Sequence, residues 1–190
     1  MRIRWIGKYN GKNLPAAELP PGARRVMEPD GGALPALLVL LAVAFGLLSV
    51  KKYLLDGTIL LRGPMTLGFG LALLLVPLHE LLHAAAFPAG AEVDIFYTRF
   101  GLGTSCTAPV SRGRFLLIAL LPSTVLGLVP LVALLLVPGE ACRWISFLFG
   151  VGALHLAGGN SDYVTALHLL RLPPDATVQI SEGEIYWYRR

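Results

Sequence analysis

Four long apolar runs, separated by short charged segments, dominate the polarity pattern of the chain. Residues 33–50 carry no charge and are closed by Lys51-Lys52. A run of that length is enough for a helix to cross the hydrocarbon core of a bilayer. The second run follows Arg62-Gly63-Pro64 and continues to about Phe87, staying apolar until His79-Glu80 near its end. The third lies between Arg114 and Glu140, without a charge but interrupted by Pro122 and Pro130. The fourth starts after Arg143 and reaches about Leu170; it contains His155, Gly158-Gly159, Asn160, Asp162 and His168. The pattern predicts about four transmembrane helices, over 33–50, 64–87, 115–137 and 144–170.

Between the runs the pattern changes. Residues 1–32 mix charge, proline and glycine and predict an irregular lead, with a short strand near residues 3–9. Between the second and third helices, Glu92-Val93-Asp94-Ile95-Phe96-Tyr97-Thr98 is rich in strand formers and Gly101-Leu102-Gly103 reads as a turn. With residues 104–110 returning, this predicts a β-hairpin over about 91–110. Residues 177–188 alternate loosely and predict a short β tail. The expected fold is therefore an α-helical polytopic membrane protein. It has an N-terminal segment (1–32), a membrane-embedded core (33–172) and a C-terminal tail (173–190).

Composition supports a bilayer setting: 55% of residues are apolar, 15% are charged and the mean hydropathy is +0.65. The net charge of +4 comes from basic residues in segments flanking the apolar runs, with no basic stripe interleaved with aromatics. Nucleic-acid binding is not expected. Residues 1–32, 88–114 and 171–190 together hold 12 Lys and Arg, against 4 in 51–63 and 138–143. The positive-inside tendency then puts both termini in the cytoplasm, and the expected setting is a bacterial cytoplasmic membrane. The polar lead before the first run argues against a cleavable signal. Cys106 and Cys142 have no paired spacing and fall on opposite faces of this topology, so no disulfide is expected.

The candidate chemistry is His79-Glu80-Leu81-Leu82-His83, a His-Glu-x-x-His pattern. Residues four apart on a helix differ by about 40° around the axis and about 6 Å along it. Two imidazoles at that spacing can close on one Zn2+, and the neighbouring Glu80 can take a proton from water at the ion. Ionisable groups in an apolar span cost on the order of 2–3 kcal/mol each near its centre, so their presence points to a ligand or a cavity. Pro77 frees the carbonyl of Leu73 and is expected to kink the helix just before the motif.

A zinc centre needs a third protein ligand. Asp162 is the acidic residue inside the fourth run, and helical rise brings it to the same cytoplasmic half of the bilayer as His79. Gly158-Gly159 would loosen that helix and let a group approach the ion. His155, seven residues earlier, is the rival ligand, or else a group acting beside the metal or on the transition state; Asn160 is a further candidate for such a role.

The motif helix, together with the Asp on a later helix, resembles the site-2-protease-like intramembrane zinc metalloproteases. The resemblance is closest to small bacterial zincin peptidases with a His-Glu-x-x-His transmembrane helix, and it covers roughly residues 64–170. It implies zinc held by His79, His83 and Asp162, Glu80 as catalytic base, and a membrane-protein or peptide substrate. It also implies strand addition of the extended substrate to the hairpin, along Val93, Ile95 and Tyr97. The better-known site-2 proteases carry an Asn-Pro feature and a Leu-Asp-Gly around the third ligand. Here that segment reads Gly159-Asn160-Ser161-Asp162-Tyr163.

Two other classes use the same residues. A catalytically silent membrane scaffold would not need the costly Glu80. A zinc transporter or sensor would need polar residues along a path, and the first and third runs offer almost none.

Overall fold

The first apolar run folds as α1, Ala33–Tyr53, with Lys51 and Lys52 in its last turn. A computed structural model describes residues 2–26, 33–99 and 101–189, so the boundary expected at residue 32 lies outside the described residues. The second run forms two helices, α2 (Pro64–Leu74) and α3 (Val76–Ala86), with 47° between them. The bend falls at Leu75, two residues before Pro77, which has no N–H to offer the preceding turn. The third run is one helical stretch, Arg112–Leu136. It comprises α4 (Arg112–Pro122), a π-helical segment Ser123–Leu128 and α5 (Val129–Leu136). The fourth is divided at Gly159 into α6 (Cys142–Gly158) and α7 (Asn160–Leu170).

The chain is a membrane protein. Among the described residues, α1 and Arg112–Leu136 are each long and apolar enough to cross a bilayer, and the bent pair α2–α3 makes a third candidate. The fourth run, expected as one span, instead gives an apolar helix of 17 residues and a further helix of 11. Two consecutive glycines weaken helix propagation at that point.

Packing divides the chain into two units. The first draws on residues 32–79 and 122–164 and is helical. Its core gathers Leu40, Ala44 and Leu48 of α1, Met65 of α2, Leu131 and Leu134 of α5, and Ile145, Phe149, Ala153 and Leu156 of α6. Helices α2 and α6 approach through glycine: a Cβ on Gly68 would lie 2.3 Å from the Phe147 carbonyl oxygen, and one on Gly150 would lie 2.4 Å from that of Met65. Small residues allow such backbone contact in membrane helices. Lys51 is buried and donates from Nζ to the carbonyls of Leu135 and Val137. These carbonyls lie at the C-terminal end of α5 and at the extended residue that follows it, where no further helical N–H is available.

The second unit draws on residues 1–31, 80–121 and 165–190. It contains two small sheets. In the first, β1 (Arg2–Lys8) pairs in parallel with β3 (Glu92–Tyr97), which pairs antiparallel with β4 (Leu102–Ser105). In the second, the order is β2 (Arg24–Arg25), β7 (Glu184–Tyr188), β6 (Thr177–Ser181), β5 (Val110–Ser111). The hairpin of β6 and β7 turns at Glu182-Gly183, both at positive φ, a two-residue connection that suits strand twist. The core joins Ala84, Ala86 and Phe87 to Val93, Cys106, Val110, Phe115, Ile118, Leu169, Val178 and Ile180.

The predicted hairpin is present, with its return strand starting at Leu102, two residues earlier than the pattern suggests. Val110 belongs to the other sheet, paired with Val178. The N-terminal lead contributes strands to both sheets, because β1 and β2 find partners far along the chain that periodicity cannot reveal.

Candidate metal centre

Helix α3 carries the motif. His79, Glu80 and His83 each offer a ligand atom, and these atoms all lie within 4.8 Å of one another. The one-turn spacing of the two imidazoles produces this grouping directly. Leu78 and Leu81 on the same helix are exposed, so the polar groups and the exposed leucines occupy different sides of a short apolar helix.

His79 is joined by a residue from far along the chain. Its Nε2 lies 3.3 Å from Oδ2 of Asp162, both side chains being mostly shielded. Two donors each about 2.0–2.2 Å from a tetrahedral ion stand roughly 3.4 Å apart. The pair is spaced as two ligands of one zinc would be, and imidazole and carboxylate are both zinc donors. The residues present fit the ion.

Each group has outer contacts. Nδ1 of His83 lies 2.7 Å from the carbonyl oxygen of Ile118. A carbonyl can only accept, so Nδ1 carries the proton and Nε2 is the ring atom that could bind a metal. Glu80 is 7% exposed, and its Oε2 accepts a 2.8 Å hydrogen bond from the Thr104 hydroxyl of β4. The Thr104 hydroxyl also lies 3.3 Å from the backbone oxygen of Glu80. Oδ2 of Asp162 accepts from the Ser123 hydroxyl at 3.4 Å. A Cβ on Gly159 would lie 1.9 Å from that hydroxyl oxygen, so the Ser123 side chain occupies space that any other residue at 159 would take.

His155 stacks on His79, with ring centroids 6.0 Å apart and planes within 7°. It is buried, and its Nε2 has no hydrogen-bond partner among the described residues. Asn160 is directed elsewhere: its Nδ2 donates to the carbonyl of Ala33 at the start of α1.

The expected docking strand requires a correction. Val93, Ile95 and Tyr97 lie on β3, the middle strand of its sheet, whose two edges are already paired with β1 and β4. A backbone hydrogen-bonded on both sides cannot accept a further strand. Val93 and Ile95 are also buried. The outer edges belong to β1 and β4.

Thr104, Ser123 and the Ile118 carbonyl escaped the sequence reading. One signal was available for the last of them: Pro122, four residues beyond Ile118, withholds the N–H that a helix would supply to that carbonyl. Thr104 had no such signal, since its direction depends on the register of β4.

A metal-binding motif helix in an apolar chain defines a membrane-associated zinc hydrolase site. The family described as "Putative zincin peptidase" matches residues 72–177, more than half of the chain, and the protein belongs to that family. It is accordingly a zinc metallopeptidase. Neither the curated proteins nor the solved structures yield a match to this chain.

Proposed function

We propose that the protein is an intramembrane protease of the site-2-protease-like kind, in which His79, His83 and Asp162 hold zinc and Glu80 is the catalytic base. The observation that carries this reading is the 3.3 Å approach of Asp162 to His79 on the motif helix. The apolar setting supports the intramembrane part: α3 is the second half of a bent apolar pair, and Asp162 opens α7 after the apolar α6.

A zinc ion at this site supplies Lewis acidity, lowering the pKa of water and polarising a peptide carbonyl. Glu80 takes the proton from the attacking water and delivers it to the departing amine, so that one C–N bond breaks, one C–O bond forms and the carboxylate is regenerated. Thr104 fixes the carboxylate for both transfers through its bond to Oε2. In this reading His155 donates to the oxyanion as the carbonyl becomes tetrahedral; its stacking on His79 and a buried Nε2 with no partner among the described residues support that role.

The substrate is a membrane-protein segment unwound near the cytoplasmic face, with both termini of this protein on that side. An intact helix hides its carbonyls within its own hydrogen bonds, so cleavage needs an extended stretch. The outer edge of β4 is where such a stretch would pair, in place of the β3 positions.

The test is hydrolysis of an unfolded apolar peptide by purified, zinc-loaded protein and by Glu80→Gln. The expected result is loss of hydrolysis with zinc retained. Full activity in zinc-replete Glu80→Gln would exclude the mechanism.

A further inference from the structure

The helix Arg112–Leu136 changes character in its middle. Helix α4 ends at Pro122, and the next six residues, Ser123–Leu128, are π-helical. Proline offers no N–H, so the carbonyl of Ile118 lacks the donor that a regular helix would present four residues on. That carbonyl is the one bonded to Nδ1 of His83. The next residue after the proline is Ser123, fully buried, whose hydroxyl reaches Asp162. Gly159 supplies the space for that hydroxyl.

A packing account leaves these features unrelated. A proline in an apolar helix is tolerated in membranes, a buried serine needs any acceptor, and a glycine ends a helix. None of that explains why the freed carbonyl meets one motif histidine and why the adjacent hydroxyl meets the carboxylate beside the other. Short π-helical segments recur at functional sites, where they shift side chains off the regular helical register. Outer partners of metal ligands set the imidazole tautomer and the carboxylate's orientation.

We propose that the break at Pro122 is a positioning device for the metal centre. Pro122 keeps the Ile118 carbonyl available to hold His83 in its Nδ1–H tautomer, and Ser123 orients the carboxylate of Asp162. Neither residue touches the metal or the substrate; both act through ligands. The inference rests on the reading of His79, His83 and Asp162 as ligands.

The experiment compares Pro122→Ala, Ser123→Ala and Pro130→Ala with wild type and His83→Ala, all purified in detergent. Zn2+ affinity is measured by competition with a chromophoric chelator, and the visible spectrum of the Co2+-loaded protein reports ligand geometry. Pro122→Ala and Ser123→Ala are expected to weaken Zn2+ binding by about 10-fold or more and to change the Co2+ spectrum. Pro130→Ala, which removes the other proline of the same helix, is expected to leave both unchanged. Wild-type affinity and spectrum in either Pro122→Ala or Ser123→Ala would overturn the proposal. An equal change in Pro130→Ala would also overturn it, because the effect would then be one of helix shape. Ser123→Ala removes a single oxygen and keeps the test decisive where Pro122→Ala does not fold. Wild-type Zn2+ binding in His83→Ala would instead refute the ligand assignment itself.

Discussion

The hydroxyl of Thr104 donates to the carboxylate of Glu80 across 2.8 Å, tying a strand of the small sheet to the proposed base on the motif helix. A carboxylate next to zinc has two competing uses, as a ligand and as a proton acceptor. A hydrogen bond to one oxygen biases it toward the second and fixes its direction. Thr104→Val keeps the shape and removes the donor. Its expected outcome is a fall in kcat of about 10-fold with Zn2+ content unchanged, whereas Thr104→Ser retains most activity. Equal kcat in Thr104→Val and wild type would show that the hydroxyl only packs.

Metal content distinguishes ligands from neighbours. His79→Ala, His83→Ala and Asp162→Ala should each purify with much less zinc than wild type, since under the proposed assignment each removes one of three protein donors. His155→Ala should keep its zinc and lose hydrolysis. Loss of metal in His155→Ala with retention in Asp162→Ala would make the stacked histidine the third ligand.

Legibility differed between the two kinds of structure in this chain. The motif and the candidate Asp162 could be read because helical spacing fixes which residues share a side, and because charges in apolar runs are conspicuous. The apolar runs likewise gave the helices, although their division at Leu75 and Gly159 depends on local breaks that mean polarity does not register. The sheets were only half legible. Strand formers marked β3 and loose alternation marked the tail that folds as β6 and β7, but nothing local reveals that β1 covers one edge of β3. Strand addition to β3 was therefore a natural reading of the sequence and is ruled out by its neighbours. Ser123 and Thr104 were invisible for a related reason: their roles depend on which element faces them.

The sheet of β1, β3 and β4 rests on a buried charge. Asp94 is 2% exposed, and Arg4 bonds it through Nε at 2.7 Å and Nη2 at 3.1 Å. That hydrogen bond and the attraction of the carboxylate raise the Arg4 pKa further. Removing one partner leaves the buried carboxylate unpaired, which costs more than removing both. Arg4→Met should lower the unfolding midpoint more than the double variant Arg4→Met/Asp94→Asn. A loss of midpoint in the double variant equal to the sum of the losses in Arg4→Met and Asp94→Asn alone would show no coupling.

Burial raises the pKa of the Cys106 thiol above its ordinary value, partly opposed by a backbone hydrogen bond from Ala108 and helped by Asp94. The folded state thus favours the neutral thiol. Its contribution to stability is present below the unfolded-state pKa and is lost as pH rises through the raised folded-state value. The thiolate is the reactive form, so Cys106 should resist maleimide at pH 8 until the protein is unfolded, while the partly exposed Cys142 reacts in the native protein. Mass spectrometry of labelled peptides checks this, and native labelling of Cys106 at the rate of Cys142 would contradict it.

Backbone contact between α2 and α6 gives the sharpest stability test, because two glycines on one helix differ only in their surroundings. A Cβ at Gly68 would stand 2.3 Å from the Phe147 carbonyl oxygen, whereas one at Gly70 would meet nothing within 4 Å. Alanine at position 68 must push the helices apart, an overpacking expected to cost about 1–3 kcal/mol. Alanine at 70 meets no such obstacle and improves helix propensity by roughly 0.5–1 kcal/mol. Thermal unfolding in detergent should therefore place Gly68→Ala below wild type and Gly70→Ala at or above it. The opposite order would mean that α2 and α6 do not meet through Gly68.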